Sequence, residues 1–304
     1  MRNRRTPRRK YYKRRRFSRF FLLFLLVLSI VYIFHHFIRA DSVLSAREEE
    51  TPLGKTVQNA LAGAQGTYGI IIENLKTHES YSMNEHMVFD SASLYKLWVM
   101  GTTYSQIQSG KLSEADMLSE DVDTLNDELG LNSNNAFLTK GKISLGVKSA
   151  LYQMVTISDN YDAELLTDRV GLTNIASFLH ANGFNESAVG VNGSLPTTTA
   201  SDIAQFFEKL YSGKLANQIY TKEMLNFLQQ QQLNTKIPIN LPSEVTIAHK
   251  TGELNAYSHD AGIVYTPKGN YIIVILSKSD NPPLAEQRIA DVSLAVYKYF
   301  MSGK

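Results

Sequence analysis

Strand-like sequence lies at the two ends of this chain's body and helical sequence fills the middle, which limits it to folds that set a sheet beside a helical insertion. At the first end, Thr67 to Glu73 and Glu79 to Met83 read as a strand pair. Helical spacing then runs through Ser93–Ser109, Leu145–Thr156, Asp162–Val170, Leu172–Ala181 and Thr199–Tyr211, the last opened by a Thr199/Asp202 capping box. Strands return at Val245–His249, Gly262–Thr266 and Tyr271–Ser277, with a hairpin turn over Pro267–Asn270. Leu284–Phe300 closes the chain as a helix with Ile289, Val292, Val296 and Phe300 on one stripe. The glutamine run at 229–232 reads as the end of a surface helix. The pattern predicts an α/β chain in which a mixed sheet-and-helix lobe adjoins an all-helical lobe, with a ligand cleft between them.

Ahead of that body the charge is lopsided. Residues 1–39 hold 12 of the 31 Lys+Arg and no acid, leaving 19 basic against 29 acidic residues in 40–304. An acidic body argues against nucleic acid as a partner. The basic run leads instead into Phe20–Phe34, apolar but for Ser29, and the stretch reaches 19 residues at Ile38. A bilayer core ~30 Å thick takes ~20 residues to span, and positive flanking charge stays cytoplasmic. Ala40 and Ala46 lack a small residue three positions upstream, which favours an uncleaved anchor over a cleaved signal peptide. The expected organisation is a basic cytoplasmic tail (1–19), a transmembrane signal-anchor (20–38), a linker (39–55) and an extracellular domain (56–304). The localisation that follows is a single-pass protein of the cell membrane.

The chain has no cysteine, which excludes thiolate nucleophiles, zinc–cysteine sites and iron–sulfur clusters. The seven histidines show no metal-ligand spacing, and no HExxH or GxSxG occurs. Gly54-Lys55-Thr56 resembles the end of a phosphate loop, but position 49 is Glu and no strand precedes it.

Three short motifs remain, in a fixed order. Ser93-Leu94-Tyr95-Lys96 puts a hydroxyl and an amine one turn apart at a helix start, within reach of each other, where helix N–H groups can face an oxyanion. A serine hydroxyl needs such a base before it attacks a carbonyl. Ser158-Asp159-Asn160 lies at a junction between two helices, where an N-cap is the plain alternative. His249-Lys250-Thr251-Gly252, followed by Glu253, ends a strand and offers a cation, a hydroxyl and backbone donors. A second Ser-Asp-Asn at 279–281, before Pro282-Pro283, reads as a turn and warns how common the tripeptide is.

Each motif alone is cheap, but the ordered set S-x-x-K, S-D-N, K-T-G is specific. With Pro196-Thr197-Thr198-Thr199 leading into a helix, and Ile237-Pro238 and Leu241-Pro242 ahead of the lysine strand, the body resembles the class A β-lactamase-like family from about 56 to 302. The resemblance implies a five-stranded antiparallel sheet flanked by helices, plus the helical lobe. It implies Ser93 as nucleophile, Lys96 as its base and Ser158 as proton donor to the leaving nitrogen. Asn160 would bind the substrate's acylamide, and Lys250 and Thr251 its carboxylate. Gly252 closes the K-T-G, and the N–H groups of Ser93 and Glu253 would form the oxyanion hole. No metal or organic cofactor is implied, and the substrate would be a β-lactam or a peptidoglycan stem peptide.

Departures from the family pattern are informative. Its E-x-x-L-N loop, whose glutamate activates the deacylating water, is absent from 183–197, where Glu186 is the only acid. Pro196 stands in place of a loop-anchoring aspartate, and His259-Asp260-Ala261 in place of an arginine on the following strand. The expectation is intact acylation with slow deacylation. A penicillin-binding D-alanyl-D-alanine peptidase is the alternative, and a non-catalytic penicillin receptor the third reading.

Overall fold

A computed structural model of the chain describes residues 51–190 and 194–303. The basic tail, the apolar 20–38 segment and the linker up to residue 50 lie outside the described residues. Among the described residues, no helix is long and apolar enough to cross a membrane.

In chain order the elements are α1 (Pro52–Ala60), β1 (Thr67–Asn74), β2 (Ser80–Met83), β3 (Phe89–Asp90), a 3₁₀ turn (Ala92–Tyr95) and α2 (Lys96–Gln108). There follow β4 (Met117–Asp121), α3 (Val122–Glu128), β5 (Lys142–Gly146), α4 (Val147–Thr156), α5 (Asn160–Val170) and α6 (Leu172–Ala181). The last third holds β6 (Thr197–Thr198), α7 (Ala200–Tyr211), α8 (Gln218–Gln229), β7 (Ile247–Leu254), β8 (Tyr257–Val264), β9 (Tyr271–Lys278) and α9 (Pro282–Ser302).

The strands from the two ends do meet. β1 pairs with β9 over its whole length, Thr67 opposite Lys278 and Asn74 opposite Tyr271, giving a sheet in the order β2-β1-β9-β8-β7. Every pairing in it is antiparallel. β9 is the middle strand, which explains why its sequence is an unbroken apolar run. Ile273 and Ile275 pack with α1 and α9 through Leu53, Val57, Ile289, Val292 and Val296. Ile272, Val274 and Leu276 face the opposite way, into a core shared with Phe206, Phe207 and Leu210 of α7. Both faces of the sheet are therefore covered, which supplies two layers of apolar burial.

Several boundaries differ from the sequence reading. α1 begins at Pro52, inside the 39–55 linker, because Thr51 accepts the Gly54 N–H and proline suits the first helical turn. The helical part is not all helix. β4 and β5 form a two-stranded antiparallel sheet in it, and Leu145 and Gly146 belong to β5 rather than to a helix. Only Leu118 of β4 is buried, so this strand pair has almost no apolar alternation to betray it. The capping box before α7 is half formed. Thr199 Oγ1 accepts the Asp202 N–H at 3.2 Å, but the Asp202 carboxylate takes the Glu186 N–H at 2.9 Å. At the other end of the chain, Asn281 caps α9 by accepting the Leu284 N–H, so the second Ser-Asp-Asn has a structural role.

Candidate active site

Ser93 does not open an α-helix. It is the second residue of the 3₁₀ turn, and Lys96 is the first residue of α2. The turn is fixed from both sides: Ser91 donates its N–H to the Pro196 carbonyl at 2.8 Å, and Asp90 pairs with Thr197. Ala92, directly before Ser93, has φ 45°, and Ser158 has φ 59°. A non-glycine residue held there costs about 1–3 kcal/mol and persists only where its surroundings over-determine it.

Around Ser158 those surroundings include two buried lysines. Lys96 Nζ donates to Ser158 O at 2.6 Å, to Asn160 Oδ1 at 2.7 Å and to Ser158 Oγ at 3.2 Å. Lys250 Nζ donates to the same Ser158 Oγ at 2.9 Å and to Thr251 O at 2.9 Å. Neither lysine side chain is exposed to solvent. The structure thus joins Lys96, Ser158, Asn160 and Lys250 in one network spanning α2, the α4–α5 turn and β7.

Ser93 is not bonded into it. All three Lys96 donors are taken by Ser158 and Asn160, and Ser93 Oγ has no hydrogen bond to a described residue. With all three of its donors engaged, the charged lysine has none left for Ser93. Burial lowers the Lys96 pKa to about 7, against an opposing pull from Asp159 and Asp162. Losing a proton leaves two N–H donors, which match the two short carbonyl acceptors, and frees a lone pair. That lone pair can take a proton from a hydroxyl, which is what a base for serine must do. Lys250 is pushed well below the ordinary lysine range by burial and then by the nearby Lys96 charge. Asp162, buried beside Lys96, is raised to about 7 by burial and by Asp159.

The K-T-G does not end its strand. β7 runs on to Leu254, so Lys250, Thr251, Gly252 and Glu253 all lie within it. β7 is also the last strand of its sheet, leaving alternate N–H groups with no strand partner among the described residues. Gly252 makes this proximity possible. A Cβ there would lie 3.2 Å from Ser91 O and 3.3 Å from Ala92 Cβ, so the glycine lets β7 close on the serine turn.

Two positioning groups escape the sequence reading. His259, on β8, accepts the Ser277 N–H on Nδ1 at 3.1 Å, which leaves Nε2 to donate to Asp90 O at 2.9 Å. Burial lowers its pKa to about 4, so a neutral ring ties the sheet to the serine turn. Lys236 is wholly buried and donates to Glu253 Oε1 at 2.5 Å, although nothing in the local sequence around Lys236 announces a site residue.

Glu186 is held by partners outside the lysine network. Its carboxylate pairs with His86 Nδ1 at 2.9 Å and accepts Thr199 Oγ1–H at 2.8 Å, at the start of α7.

Comparison with known proteins bears on the family and the fold. A family model described as the beta-lactamase enzyme family covers residues 52–300. The beta-lactamase VEB-1 of Pseudomonas aeruginosa is 22% identical over 281 residues, covering 81% of this chain and 89% of that protein. Among solved structures, a beta-lactamase from Sphaerobacter thermophilus DSM 20745 has a TM-score of 0.72 at 23% identity, covering 82% of this chain and 97% of the other. An acyl-enzyme complex of a PBP-A mutant with penicillin G gives the same TM-score and identity, covering 82% and 96%. These structural likenesses bear on the fold.

Proposed function

From the premise that this chain belongs to the beta-lactamase enzyme family, we propose that it opens a β-lactam-type amide through an acyl-enzyme on Ser93 and hydrolyses that ester slowly. The observation that carries the chemistry is the convergence of Lys96 and Lys250 on Ser158 Oγ, beside a serine whose own hydroxyl is unengaged among the described residues. Neutral Lys96 takes the Ser93 proton as Oγ attacks the carbonyl carbon, and the N–H groups of Ser93 and Glu253 receive the oxyanion. Ser158, polarised by Lys250, passes a proton to the departing nitrogen, and Lys96 restores it to Ser158. Asn160 holds the acylamide, and Lys250 and Thr251 the carboxylate. A solved neighbour trapped as an acyl-enzyme with penicillin G supports the same ligand chemistry for this fold.

The second reading is a D-alanyl-D-alanine peptidase acting on peptidoglycan. It is favoured by the one acid of the 183–197 loop, Glu186, being tied to His86 and Thr199. Steady-state turnover of a chromogenic cephalosporin beside a D-Ala-D-Ala peptide separates the two. Turnover of the peptide alone supports the peptidase, and sustained turnover of the cephalosporin supports the lactamase.

The domain is presented outside the cell by the 20–38 anchor, with the basic tail inside. External protease on intact cells should then digest residues 56–304. Protection of the domain, or its recovery as a free secreted protein, would contradict the anchor.

A further inference from the structure

Lys236 has no solvent exposure, and among the described residues Glu253 is its only hydrogen-bond acceptor. An ammonium carries three donors, so a fully buried cation here has two to spare. Burying an incompletely paired charge is costly, and such groups commonly serve a ligand of opposite sign. The nearby carboxylate Asp260 gives it no hydrogen bond among the described residues. Its two oxygens are engaged by His249 Nδ1 at 2.9 Å and the Ile237 N–H at 3.0 Å.

Glu253 is the unusual partner. Its side chain is 56% exposed while Lys236 is buried, so the carboxylate reaches inward from the open side of the site. Residues two apart on a strand project from the same face, which puts Glu253 beside Thr251, the hydroxyl assigned to the substrate carboxylate. Lys250 lies within the field of both Lys96 and Lys236, and it uses two of its donors on Ser158 and Thr251. The Glu253 carboxylate therefore occupies an anion's position on Lys236, within the field of Lys250.

We infer that Glu253 is a built-in competitor for the substrate's carboxylate, holding Lys236 in the free enzyme and yielding it when an anionic substrate arrives. The pair thereby sets how strongly the site prefers carboxylate-bearing substrates over neutral ones. The inference rests on the Ser93 acyl-enzyme reading and adds to it a control on substrate charge.

The test compares Ser93 acylation rates with benzylpenicillin and with its uncharged methyl ester, in the full chain. Glu253→Gln removes the competing charge and leaves Lys236 free, so the acid-over-ester ratio should rise about tenfold. Lys236→Met leaves Glu253 unpaired near the incoming anion, and the ratio should fall about tenfold. Glu253 is exposed, so its variant decides the question even where Lys236→Met fails to fold. A Glu253→Gln ratio within about twofold of the parent's, or below it, would overturn the inference while Ser93 still acylates. Absence of acylation by either compound in the parent chain would instead overturn the hydrolase reading, and the inference with it.

Discussion

With Lys96 replaced by alanine, acylation of Ser93 by a fluorescent penicillin should slow by about 10²–10⁴, the range for losing a positioned base. The size of the effect follows from the site. Among the described residues, Lys96 alone both contacts the Ser158 backbone and side chain and has its pKa lowered to about 7. The same fact fixes the pH profile. The base form of Lys96 vanishes as pH falls below about 7, so parent acylation should drop about tenfold per pH unit there and level off above. Stopped-flow labelling across pH checks both halves. A flat profile through neutrality, or Lys96→Ala labelling at close to the parent rate, would assign the proton transfer to another group.

The second large effect concerns hydrolysis of the ester. Acylation has its nucleophile, base and proton donor, but removal of the acyl group needs a further acceptor against a water on the other side. Glu186 is the loop's single acid, and both its oxygens are committed at the start of α7. β-Lactams should therefore give a burst of one product per enzyme followed by slow turnover, the signature of limiting deacylation. Glu186→Gln should change the slow phase by less than about threefold, far below the ~10²–10⁴ expected of a true base. Rapid linear turnover with no burst, lost in Glu186→Gln, would make Glu186 the base after all.

Much of this is legible in the chain. Local patterns locate β1, β2, β9, α6 and the stripe of α9 closely, because each buries a continuous or periodic apolar face. The ordered motifs point to Ser93, Lys96, Ser158, Asn160 and Lys250, and the fold joins the last four in one hydrogen-bonded network. What stays hidden is long-range. The apolar pattern starts β8 only at Gly262 because Ser258, His259 and Asp260 are polar, yet all three pair with β7 and are buried. His259 and Lys236 act through contacts 169 and 17 residues away in sequence, which no spacing rule reaches. The Ser93–Lys96 pair shows the converse. Helical spacing puts them within reach, but the partners of Lys96 come from a turn more than 60 residues later.

Intact-mass measurement after brief mixing with penicillin G, with peptide mapping of the adduct, tests the Ser93 acyl-enzyme most directly. One penicilloyl group per chain should appear on the peptide containing Ser93, and Ser93→Ala should carry none. An adduct on any other residue, or one that persists in Ser93→Ala, would contradict the assignment of Ser93 as the nucleophile.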